Sequence, residues 1–113
     1  MIGSVRREYH IRLRFNGRQI KRVLIDPHYE QKHSGSIQDA VILGLVRLLD
    51  WTEYPVEAQT KSGFEIFRIE PLVFEGKSYR LIVTLPPLNG EHETDYLGVV
   101  NAFRIRIRKR TGG

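Results

Sequence analysis

The chain has no cysteine among its 113 residues. Disulfides, cysteine nucleophiles and thiolate metal sites are therefore excluded. No apolar run approaches the roughly 20 residues that a membrane-spanning helix needs. Met1 to Arg7 contains no apolar stretch, so no signal peptide is expected. No Gly-rich loop precedes a helix and no Gly-x-Ser-x-Gly elbow occurs, which argues against phosphate-loop and serine-hydrolase chemistry. Repeats, linkers and low-complexity blocks are absent as well. What is present is 41% apolar residues in a length suited to one domain, residues 1–113, with its own core.

Charge is unevenly spread. The net charge is +5. Residues 1–25 hold seven basic side chains against one acid, Glu8, while residues 104–113 hold five basic side chains and no acid. The stretch between them holds six basic and twelve acidic residues. If the two basic ends meet, they form one positive surface suited to a polyanion, most commonly nucleic acid. The alternative is a solvated tail beside a basic strand face.

Tyr9, Ile11, Leu13 and Phe15 alternate with His10, Arg12 and Arg14, the period of a half-buried strand. Asn16-Gly17 then predicts a tight hairpin, returning along Arg18 to Ile25, so residues 9–25 read as one hairpin. A helix is expected from Ser36, with Ser36 and Asp39 at capping-box spacing. Its apolar face is Ile37, Val41, Leu45, Leu48 and Leu49, widened by Ile42 and Val46. Turns are expected at Lys61-Ser62-Gly63 and Glu75-Gly76-Lys77. They bound strands at Phe64 to Phe74, interrupted at Pro71, and at Ser78 to Leu85, and a last strand follows from Tyr96 to Ile107. Residues 109–113 read as a frayed tail. The expected fold is α+β: a twisted antiparallel sheet of about five strands with one main helix on one face. The strand Tyr9–Phe15 is expected at a free edge, where a second copy could pair.

The segment His28-Tyr29-Glu30-Gln31-Lys32-His33-Ser34 concentrates functional side chains between a strand and a helix. A metal pair is disfavoured, because His28 and His33 are five apart rather than four and no third ligand follows. No cofactor is expected. The parts do suit RNA cleavage without a metal. That reaction needs a base for the 2′-hydroxyl, an acid for the leaving 5′-oxygen and cations around the phosphate. Histidine alone has an unperturbed pKa that serves both roles near neutrality. His28, Lys32, His33, Arg80 and Arg104 supply such groups, with Asn101 as a neutral donor. Arg80 lies in an otherwise apolar strand and calls for either a phosphate or an acid such as Glu65. Alternation puts Arg104, Arg106 and Arg108 on one face, able to track phosphates with Arg12 and Arg14, while Phe103, Ile105 and Ile107 would pack on the helix. Few aromatics interleave these arginines, so base stacking is not evident from the sequence.

Three strings together resemble the small ribonuclease toxins of the barnase, EndoU, colicin and RelE superfamily. They are Asp26-Pro27-His28-Tyr29-x-x-Lys32-His33-Ser34, then Gly76-Lys77-x-Tyr79-Arg80-Leu81-Ile82, and Leu97-Gly98-Val99-Val100-Asn101-Ala102-Phe103-Arg104. The nearest likeness is to tRNA-cleaving C-terminal domains of contact-dependent growth inhibition toxins. It covers residues 26 to about 108 and leaves the N-terminal hairpin unmatched.

The resemblance implies an antiparallel sheet cradling RNA and metal-independent transesterification to a 2′,3′-cyclic phosphate, with tRNA the expected substrate. His28, Lys32 and His33 would be the acid–base group, and Arg80 and Arg104 would hold the scissile phosphate. Asn101 stands where many relatives carry threonine or another small polar residue. An acidic antitoxin or immunity protein is the implied partner. Beginning with its own methionine and no delivery region, the chain fits a stand-alone cytoplasmic toxin better than a secreted fragment. A ribosome-dependent mRNA interferase, a non-catalytic nucleic-acid-binding module and an interaction domain that binds no nucleic acid are the competing readings. The module would need the arginine row but not the histidines.

Overall fold

The computed structural model describes residues 6–25, 37–88 and 93–106. The domain is α+β. Its main sheet has six strands in the order β1-β4-β8-β7-β6-β5, with β1 at Arg7–Tyr9, β4 at Arg22–Ile25, β5 at Ala58–Gln59, β6 at Glu65–Phe74, β7 at Lys77–Leu85 and β8 at Tyr96–Ile105. A separate ribbon pairs β2, Leu13–Phe15, with β3, Arg18–Ile20. One helix, α1, spans Asp39–Arg47 among the described residues.

The hairpin turns form where the local chemistry demands them. Asn16 and Gly17 both take positive φ, as do Glu75 and Gly76 between β6 and β7, matching the twist of the flanking strands. β6 and β7 pair antiparallel, with a register shift between Ile69 and Leu72 at the expected Pro71 interruption. Beside β8, however, β4 runs parallel, Ile25 standing opposite Val99. Short turns dictate antiparallel neighbours only for consecutive strands; β4 and β8 are far apart in the chain.

The single hairpin expected over residues 9–25 is split. Its base, β1 and β4, joins the main sheet, and its tip becomes the ribbon. The ribbon is stitched to the chain that leaves α1. Trp51 N–H donates to the Arg14 carbonyl at 2.7 Å and Asn16 N–H to the Thr52 carbonyl at 3.0 Å. The Asn16 side chain donates to the Tyr54 carbonyl and accepts from the Tyr54 N–H. This folding-over buries Phe15 and Ile20 completely, with Phe15 edge-on to Phe67 at 5.1 Å. Leu13–Phe15 is consequently not a free edge, since Asp50 to Thr52 cover it. The edges of the main sheet are β1 and β5.

On α1, Ile42, Leu45 and Val46 are buried and Leu49 follows them into the core, while Leu48 is exposed. The buried stripe is thus rotated slightly from the expected Ile37, Val41, Leu45, Leu48 and Leu49 face, toward Ile42 and Val46. The capping-box expectation is also corrected. Gln38 is the N-cap, without a side-chain cap, and the Asp39 carboxylate is engaged elsewhere. Ser36 lies outside the described residues.

The last strand carries a second correction. Val83 pairs with Val99 and Ile82 with Asn101, so Val100 is an extra residue in β8. This bulge reverses the alternation. Leu97, Val99 and Ala102 point into the core, whereas Phe103 and Ile105 pair with Arg80 and Ser78 on the opposite face. Phe103 and Ile105 therefore do not pack on the helix, contrary to simple period-two reading. Ile107 lies outside the described residues.

Candidate functional site

His28, Lys32, His33 and Arg108 lie outside the described residues. The two ends of the segment that carries the histidines are described. β4 delivers the chain to Ile25, and α1 takes it up at Asp39. Arg7 ties these ends together: its backbone pairs with Ile25, and its guanidinium donates to the Asp39 carboxylate through Nε at 2.6 Å and Nη2 at 3.0 Å. The Tyr9 hydroxyl donates to the same carboxylate. Burial pushes Asp39 up, but the hydrogen bonds from Arg7 and Tyr9 outweigh it and hold the carboxyl below the usual range. Tyr9 is raised, first because its hydroxyl is bonded to Asp39. Nothing in the sequence links positions 7, 9 and 39. The clamp exists only because β1 lands beside β4.

Arg80 and Arg104 are separated by the sheet. Arg80 stands opposite Phe103, and Arg104 stands opposite buried Tyr79, on the helix-bearing face. The expectation that both hold one scissile phosphate is corrected: side chains at successive register positions leave a sheet in opposite directions. Arg80 is also committed. Its Nε donates to Glu70 and its Nη2 to Glu70 Oε1 at 3.3 Å, and its guanidinium lies 6.0 Å from the Phe103 ring. The hydrogen bond to Glu70 raises Arg80 and lowers Glu70. Glu65, the acid suggested by sequence, lies instead 3.7 Å from Arg18.

Asn101 pairs with Ile82, on the Arg80 face, and its Oδ1 accepts from the Ala102 N–H at 3.0 Å. Arg104 and Arg106 are exposed and make no ion pair among the described residues.

Arg12 and Arg14 are exposed too, but they do not continue this row. Arg12 shares a surface hollow with Lys21, Arg22 and Asp95, at the start of β8 rather than at its end. There Arg22 is held by Asp95 at 2.8 Å, by Glu93 and by Glu8 at 3.4 Å. Asp95 is lowered chiefly by the hydrogen bond from Arg22. Arg14 lies over the Trp51 ring at 5.7 Å, beyond the C-terminal end of α1. Among the described residues, Arg12 and Arg14 therefore do not form one track with Arg104 and Arg106.

No group of three or more histidine, aspartate or glutamate side chains that could hold a metal ion occurs among the described residues. A half-open cavity of about 260 Å³ lies on the face away from the helix, over Gly98 and between Leu24, Phe64, Thr84 and Tyr96; none of the sequence-predicted site residues lines it. No helix among the described residues is long and apolar enough to cross a membrane. Comparison with protein-family models, with curated proteins and with solved structures gives no match.

Proposed function

We propose that the chain is a metal-independent endoribonuclease of the toxin type, with tRNA as its substrate in the cytoplasm and an acidic inhibitor as its partner. The observation that carries this reading is that Arg7 joins the described residues on either side of the His28–His33 segment: its backbone pairs with Ile25, which stands beside Val99, and its guanidinium holds Asp39. From Val99 on, β8 has no further strand partner on this side among the described residues as it runs toward Arg104 and Arg106, which make no ion pair among those residues. Arg104 and Arg106 thus lie along β8 and its exit, past the point where β4 hands the chain to the segment that carries the proposed acid–base group. Arg104, on the helix-bearing face, is the phosphate-binding arginine of this reading. Arg80 is a structural partner of Glu70.

In the reaction, one histidine takes the 2′-hydroxyl proton as that oxygen attacks phosphorus. The other gives a proton to the departing 5′-oxygen as its bond to phosphorus breaks. The products are a 2′,3′-cyclic phosphate and a 5′-hydroxyl. Lys32 and Arg104 stabilise the charge that gathers on the phosphoryl oxygens. An acidic inhibitor would act by covering Arg104 and Arg106.

The test incubates purified protein with total RNA and a chelator, beside a His28→Ala/His33→Ala variant. Wild type should yield fragments ending in cyclic phosphate, and the variant should lose about 10²–10⁴-fold in rate. RNA left whole by the wild type, or cut equally by both proteins, overturns the reading.

A further inference from the structure

Trp51, the only tryptophan in the chain, is 78% exposed. Its backbone takes a φ of 64°, the left-handed region that a bulky L-residue adopts only at a cost. Little of the ring is buried by folding, yet the backbone that carries it is held by hydrogen bonds. Trp51 N–H donates to the Arg14 carbonyl at 2.7 Å, Arg14 N–H donates to Asp50 Oδ1 at 2.8 Å, and Thr52 N–H returns to the Leu49 carbonyl at 3.0 Å. The Arg14 guanidinium lies over the indole at 5.7 Å. A strained, pinned and solvent-facing aromatic marks a contact made with something outside the fold.

We propose that Trp51 and Arg14 form a stacking platform for an unpaired RNA base. The cation occupies one face of the indole, and a base stacks on the other. Arg14 adds attraction for the adjoining phosphate, in the combination that single-strand binders use. Nucleic acid is favoured over a protein partner by the cation held over the ring. Arg14 lies over the ring and Arg47 is exposed in the last turn of α1, against the exposed acids Asp50, whose Oδ1 accepts from the Arg14 N–H, and Glu53. The sequence hides this pair, because 37 positions separate its members. The identity of the bound strand as substrate rests on the ribonuclease reading. The nine residues of α1, about 14 Å long, separate the platform from the Arg7–Asp39 clamp, so the stacked base would flank the cut rather than contain it.

The experiment follows Trp51 fluorescence in the full chain, in the His28→Ala/His33→Ala background so that RNA stays whole. Titrants are a single-stranded oligoribonucleotide, the same sequence as a duplex, and heparin as a polyanion without bases. Expected are saturable quenching by the single strand alone and roughly ten- to a hundredfold weaker binding of W51A, read by fluorescence anisotropy of a labelled strand. Arg14→Gln should lower the slope of log affinity against log salt by about one. Trp51→Gly suits the left-handed backbone; it should melt no lower than wild type while binding as poorly as W51A, which separates the contact from folding.

Equal affinity of W51A, W51G and wild type, or quenching by heparin as strong as by RNA, overturns the platform. An unquenched Trp51 overturns it too, and leaves the pair as a protein contact. Cleavage by wild type with no loss of binding in W51A would sink the platform and spare the ribonuclease. Quenching and W51A-sensitive binding without any cleavage would do the reverse.

Discussion

Arg80 and Arg104 occupy neighbouring strands one register step apart and leave the sheet on opposite faces, Arg80 toward Glu70 and Arg104 beside Tyr79. They cannot serve one phosphate. Arg104→Ala should lower RNA cleavage by about 10²–10³-fold, the usual loss for one preorganised donor to a developing oxyanion. Arg80→Ala should change it by no more than about twofold, as expected for an exposed pair away from the reaction. Initial rates on a labelled tRNA, for both variants in parallel, check the asymmetry. Equal losses would mean that the strand faces are misassigned.

The Arg7–Tyr9–Asp39 clamp makes a pH prediction with two arms. Asp39 is lowered in the folded chain. Its contribution is complete above the unfolded carboxyl value of about 3.9 and is lost as pH falls through the lower folded value. Asp95 and Glu70, lowered by Arg22 and Arg80, act in the same direction. Tyr9 is raised, so its contribution is complete below about pH 10 and is lost as pH rises through its folded value. Asp39→Asn should cost about 1–2 kcal/mol at neutral pH and flatten both arms. Urea unfolding across pH reads both effects.

Phe15 tests the splitting of the N-terminal hairpin. Its ring is fully buried against Phe67 and Tyr54. That burial requires the ribbon to fold over the chain leaving α1. Phe15→Ala should cost about 3–5 kcal/mol, and the Trp51 N–H bonded to the Arg14 carbonyl should lose protection from hydrogen exchange as the ribbon loosens. A loss below about 1 kcal/mol would imply a ribbon not docked on the core.

Local chemistry was legible in the sequence, and long-range pairing was not. Asn16-Gly17 and Glu75-Gly76 announced their turns because positive φ has few residue solutions. Pro71 announced an interrupted strand because it cannot donate to a ladder. The apolar period of α1 identified the helix, though its stripe lay one position aside. The parallel pairing of β4 with β8 leaves no local trace. Glu70 rather than Glu65 meets Arg80 because the register of β6 against β7 puts Glu65 opposite Leu85, at the far end of the pair. Of the candidate site residues, Asn101 and Arg104 take faces that depended on one extra residue, Val100.

That bulge gives the sharpest discrimination between strand patterning and structure. Unbroken alternation would make Phe103 a core residue and turn Ala102 outward, so that Phe103→Ala would cost about 3–5 kcal/mol and Ala102 would tolerate a charge. The structure reverses both. Ala102 is 4% exposed in the core, while Phe103 faces Arg80 on the side away from the helix. Phe103→Ala should therefore cost only about 1 kcal/mol, chiefly the ring's partial burial under the Arg80 guanidinium. Ala102→Asp should cost more than about 3 kcal/mol, because it places a carboxylate without a partner among Leu81, Val83 and Val99. Thermal and urea unfolding of the two variants settle the order. Were Phe103→Ala the more damaging, β8 would lack its bulge, Arg104 would share a face with Arg80, and the proposed phosphate site would have to be rebuilt around both arginines.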